Sequence, residues 1–242
     1  MLLLRLRLFW RYLWMKGKKA NFVFSDDSST LNWDSDLNSD VELNKAKQYV
    51  RDLTCGSLLI AESRLVAKTL LLGLPEYEWN RLFIDENILQ KRSPHTAIRY
   101  ARSIRRRLEP LGKEFIEAVI NEPESSYKQL LMLSLILYTP VLPDFMRQVV
   151  AETKRIYQPN LAPDAWASFL LDCSRLLPGL NDLSSSTLKK SGNNIIRSLV
   201  EADYLDNNKN RRLQPVYVLP ETRIWLQKLN REDLEPVMEC TL

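Results

Sequence analysis

Apolar positions recur at steps of three and four along most of this chain, the spacing of helices with one buried face. Between residues 188 and 200 they are Leu188, Gly192, Ile195, Ile196, Leu199 and Val200, and the serines and threonine at 184–187 supply candidate N-caps. Ser93-Pro94 reads as a cap followed by proline at the first helical position. It opens a helix over 95–108 with Ala97, Ala101, Ile104 and Leu108 as its stripe. Upstream, 61–72 carries Leu65, Val66, Leu70 and Leu71, Gly73-Leu74-Pro75 breaks it, and 76–84 is built on Trp79, Leu82 and Phe83. Further helices are expected over 114–121, 127–138, 144–157, 164–177 and 221–229, with Trp166 and Trp225 as core anchors. The run 129–143 has no charge, yet Pro140 and Pro143 interrupt it short of a membrane-spanning length, so it reads as a buried helix. One segment is different: 213–219 has the look of a strand, with Pro215 suiting an edge.

The polar faces of two of these helices carry the candidate chemistry. Opposite the stripe of 188–200 stand Lys189, Lys190, Asn193, Asn194 and Arg197, side chains that pair with phosphates and base edges. After Tyr204-Leu205, residues 206–212 form a polar turn with Lys209, Arg211 and Arg212. Helix, basic turn and strand together are the sequence form of a winged helix-turn-helix. On the helix 95–108, Arg99, Arg102 and Arg106 share a face, with Arg92, Arg105 and Arg107 nearby and only Glu109 as a local countercharge. His95, at the helix start, suits a cap or a phosphate contact. A cationic third helix gives this part a helix-turn-helix shape as well. The expectation is therefore a mainly α protein of two small helix-turn-helix-like domains, 50–159 and 160–242, the second winged by a short β-hairpin. Residues 1–49 would precede them as a flexible extension, since 24–44 is acidic and aperiodic.

Composition narrows the classes. The chain has 242 residues, 45% hydrophobic and 26% charged, which is enough to bury a core. A net charge of +4 permits nucleic-acid binding without demanding it, so the clustering above carries the weight. Three scattered cysteines and a single histidine make neither a zinc pattern nor a disulfide framework, which fits a cytoplasmic location and no metal or cofactor. Six glycines and the absence of phosphate-cradling motifs leave nucleotide hydrolysis and dinucleotide chemistry without apparatus. Pro143-Asp144 with Glu152-Thr153-Lys154 matches a loose metal-nuclease string, but helical spacing splays those groups around one helix. The Leu/Arg-rich residues 1–14 lack the order of a signal peptide. They read as an extension, with Met15 a candidate start, or as an amphipathic surface anchor.

One resemblance adds to this. The string Gly56-Ser57-Leu58-Leu59-Ile60-Ala61-Glu62-Ser63-Arg64, followed by Asn87-Ile88-Leu89-Gln90-Lys91-Arg92-Ser93-Pro94-His95-Thr96-Ala97, resembles the BrxA family of the BREX bacteriophage-resistance system. The arginine-rich run 99–108 and Thr187-Leu188-Lys189-Lys190 fall where that family has similar text. The likeness covers residues 53–229. It implies a helical, non-enzymatic, cytoplasmic component of a phage-defence operon that binds double-stranded DNA, alongside other defence proteins; the short apolar runs at 1–14 and 129–143 give no reason to expect a membrane partner. The alternatives are a winged-helix transcriptional regulator, which would need a palindromic site and a stable dimer, and a protein-interaction scaffold of the defence complex.

Overall fold

A computed structural model describes residues 33–241, and the expectations for residues 1–32 lie outside them. The architecture is all-α. The helices in chain order are α1 (Trp33–Val50), α2 (Ile60–Leu71), α3 (Glu76–Asn80), α4 (Pro94–Leu108), α5 (Lys113–Asn121), α6 (Glu124–Tyr138), α7 (Val141–Arg155), α8 (Ala165–Ser174), α9 (Ser185–Glu201), α10 (Pro220–Lys228) and α11 (Glu235–Glu239). Wider π turns continue α3 over Arg81–Asp85 and interrupt α7 over Met146–Val150.

The caps read from sequence are in place. Ser93 accepts from the Thr96 N–H to start α4, and Ser184 accepts from the Thr187 N–H to start α9. The uncharged stretch became α6, which buries residues on all sides from Ser126 to Ile136, as a helix through the middle of a core must. Around it pack α4, α5 and α10, while α2 lies against both α4 and α5. Trp79, Trp166 and Trp225 are buried. Trp166 sits in a cluster with Phe145 and Phe169, at centroid separations of 5.6 and 5.7 Å. No described helix is long and apolar enough to cross a membrane, and α6 and α7 meet at a bend of 105°. One continuous cluster of buried side chains runs from Leu53 to Cys240 and takes in residues of both expected domains.

Two regions depart from expectation. Order sets in ahead of Val50, because α1 begins at Trp33. The helix is largely polar, but Ala46 and Val50 are buried against Leu180, with Tyr49, Leu177 and Leu183 alongside. Its partners lie more than a hundred residues downstream, so no local pattern announces it. The expected β-hairpin is reduced to two isolated bridges, Leu205 with Leu213 and Asn160 with Arg212, and there is no named strand among the described residues. Beyond Gln214, Pro215 removes a ladder donor. Side chains then take over the backbone groups: Gln129 bonds the Tyr217 carbonyl and the Leu219 N–H, and Glu239 accepts from the Val218 N–H. A strand whose groups are satisfied this way has nothing left to pair.

Candidate nucleic-acid interface

The cationic face of α4 is divided by its surroundings. Arg102 donates to Asn80 at 3.1 Å and pairs with Glu76, Arg105 pairs with Glu76 and Glu109, and Arg106 donates to Asp52 at 2.7 Å. Glu109 is the local countercharge read from sequence, and the structure adds Glu76 and Asp52, which arrive from α3 and from the turn Arg51–Thr54. Arg107 is buried, and donates to the Ser103 and Ser57 carbonyls. Burial away from water lowers its pKa to about 10. Arg92 and His95 are exposed around the start of the helix.

Arg99 is placed differently. It lines a cleft of about 440 Å³ together with Lys91, Tyr100, the loop that precedes α2 and the first turn of α2 on one side and Lys190, Asn194, Arg197 and Glu201 of α9 on the other. The fold thus brings one expected DNA-facing residue of α4 to three of those on α9, across about ninety positions of sequence. Asn194 donates its amide to the Leu53 carbonyl, so that group serves the packing of α9 on the turn Arg51–Thr54. One of its two amide N–H groups is therefore engaged within the protein. Lys189 and Asn193 are exposed on the outer side of α9.

The loop under the cleft is clasped from both helices. Arg107 of α4 holds the Ser57 carbonyl at 3.1 Å, and Glu201 of α9 accepts from the Ser57 hydroxyl at 2.8 Å and the Leu58 N–H at 2.9 Å. Arg197 donates to the same Glu201 at 2.9 Å. Lys91 pairs with Glu62 on the rim. Sequence reasoning missed Glu201 and Lys91 as parts of the site. The spacing of four between Arg197 and Glu201 was the available signal, being that of a helix ion pair.

The basic turn folds on itself. Asp206 accepts from the Asn207 and Arg212 N–H groups, and Asn207 accepts from the Lys209 and Asn210 N–H groups. Arg211 reaches inward to the Ala162 and Pro163 carbonyls, so it ties the turn to the start of α8 rather than projecting as a wing cation. Lys209 and Arg212 stay exposed. Of the nuclease-like string, Asp144 is bonded to Tyr49, Glu152 pairs with Arg155, and Lys154 donates to the Glu239 carbonyl. The three groups face three different partners, and no cluster suited to a metal ion occurs among the described residues.

These features define an all-α protein in which two cationic helices meet over one clasped loop. Comparison with known proteins gives the family. The sequence profile of BrxA matches residues 47–230. The BREX protein BrxA of Escherichia coli O9:H4 (strain HS) is 39% identical over 80% of this chain and 91% of its own. That of Paramagnetospirillum magneticum (strain ATCC 700264 / AMB-1) is 32% identical over 76% of this chain and 93% of its own. A crystal structure of an uncharacterized protein from Magnetospirillum magneticum superposes with a TM-score of 0.72 at 29% identity, covering 80% of this chain and 99% of that one. The chain belongs to the BrxA family, and BrxA is a component of the BREX phage-defence system.

Proposed function

We propose that this protein is a non-enzymatic subunit that binds double-stranded DNA and positions other components of the defence system on it. The observation that carries the reading is the convergence of Arg99, Lys190 and Arg197 from two helices on one cleft. The carboxylates there, Glu62 and Glu201, are already engaged by protein groups. Arg197 is itself paired with Glu201, which leaves Arg99 and Lys190 as the cleft cations without an ion pair among the described residues, and phosphate contacts by such groups set register and affinity without reading sequence. The exposed Lys189, Asn193, Lys209 and Arg212 extend the reading to further backbone and base contacts.

Fluorescence anisotropy with a labelled duplex at a series of salt concentrations tests it. The protein binds with weak sequence preference, and affinity falls steeply as salt rises. Lys190→Gln lowers affinity and flattens the log–log slope by roughly 0.9, the value for one phosphate no longer neutralised. Absence of binding, or binding indifferent to salt, would defeat the reading. Incubating the protein with supercoiled plasmid and magnesium or manganese tests the non-enzymatic part, for which intact plasmid is the expected result and nicking the contrary one.

A further inference from the structure

We propose that the cleft between α4 and α9 is a seat for a single phosphoryl group, gripped by Arg99 and Lys190. It is the innermost point of the surface described above, and rests on that reading only for the polymer that delivers the phosphate. Arg99 is set apart from its neighbours on α4. Arg102, Arg105 and Arg106 each have a carboxylate, whereas Arg99 has no ion pair among the described residues. Its Nε is shielded from solvent and has no hydrogen-bond partner among the described residues. A guanidinium N–H left without an acceptor is costly, so a small rotation of this side chain toward an acceptor in the cleft it lines is favoured. Lys190 likewise has no ion pair among the described residues, and it faces the same space.

Charge specifies the occupant. Four cations, Lys91, Arg99, Lys190 and Arg197, line the cleft with two carboxylates, Glu62 and Glu201. Lys91 answers Glu62 and Arg197 answers Glu201. The two remaining positive charges are those of Arg99 and Lys190, which suits one phosphate group. Flat aromatic ligands fit poorly, because Lys91 and Arg99 already stand over the Tyr100 ring at 5.7 and 5.8 Å. The planar fork of Arg99 matches tetrahedral phosphate oxygens, and Lys190 adds a point charge from the facing helix.

The two sources of such a group are a phosphodiester of duplex DNA and a free phosphate ester. The experiment compares the full-length protein with Arg99→Gln and Arg99→Lys in two assays. One is duplex binding across a salt series; the other is thermal unfolding in inorganic phosphate against chloride at matched ionic strength. The difference between proteins cancels the general stabilisation by phosphate. Arg99→Gln is expected to weaken duplex binding about tenfold and lower the salt slope by roughly 0.9. Arg99→Lys keeps the slope while losing part of the affinity. Phosphate should raise the melting temperature of the wild type more than that of Arg99→Gln. If no duplex binds but this difference in melting persists, the seat stands with a free ester as its ligand and the DNA reading falls. If duplex binding is normal and Arg99→Gln matches the wild type in both assays, the seat is overturned and the DNA reading stands. If neither duplex nor phosphate distinguishes anything, both are overturned.

Discussion

A methyl group on Gly192 would lie 2.2 Å from Cδ1 of Trp166. The indole cannot give way, since its Nε1 donates to the Leu188 carbonyl at 2.8 Å and Phe145 and Phe169 flank it. Gly192→Ala therefore loses about 2 kcal/mol net, the overpacking cost exceeding the gain in helix propensity. Urea unfolding would read the loss, and an unchanged midpoint would contradict the packing. A second residue-scale effect depends on pH. Burial raises the Asp144 carboxyl above its ordinary range, while the Tyr49 hydrogen bond and Arg147 act in the other direction. A carboxyl that holds its proton more readily when folded adds stability below its unfolded pKa, and that contribution is lost as pH rises through the folded value. Asp144→Asn removes this dependence, so its stability relative to wild type should be greatest near neutrality and decline as pH falls. Denaturation midpoints across the acid range check it, and a constant difference would count against it. The apolar side of α9 was legible because Ile195, Ile196 and Leu199 repeat at helical steps. The fate of the arginines was not: Glu76 lies 26 positions from Arg102, and Asp52 lies 54 from Arg106.

Among elements, α1 shows the same limit on a larger scale. Its helical state follows from what lies beneath it. A Cβ on Gly179 would come within 2.2 Å of the Glu42 carbonyl oxygen, so the backbones of α1 and of the turn Pro178–Leu180 touch only because that residue has no side chain. Gly179→Ala should push α1 off its seat, costing about 1–3 kcal/mol. Hydrogen exchange would then speed up over Tyr49 and Val50 while α4 and α6 keep their protection, and uniform protection would refute the contact. The helix α4 was foreseen to within a residue and α9 to within three, since a stripe marks both and a cap candidate precedes each. The hairpin is confined to the bridge of Leu205 with Leu213, because Gln129 and Glu239, remote in sequence, satisfy the backbone further on that a partner strand would have used.

At the scale of the molecule, the continuous core from Leu53 to Cys240 couples the residues on either side of residue 160. One cooperative calorimetric transition is expected, with calorimetric and van't Hoff enthalpies in agreement. Two resolved transitions would mean that the halves on either side of residue 160 melt independently. Convergence of α4 and α9 was beyond reach of sequence, as periodicity says which face of a helix is polar but not which other face it will meet. The clasp on residues 57–58 has a mechanical consequence. Because Arg107 and Glu201 grip one short loop from opposite sides, the spacing of the two cationic helices is fixed before any ligand arrives. Such a jaw has little freedom left to lose on closing, and under the function proposed a duplex seated in it would have to do the bending itself. Under the function proposed, discrimination between DNA sites would then follow how readily each sequence deforms, with soft pyrimidine–purine steps favoured over stiff tracts even where no side chain reads a base.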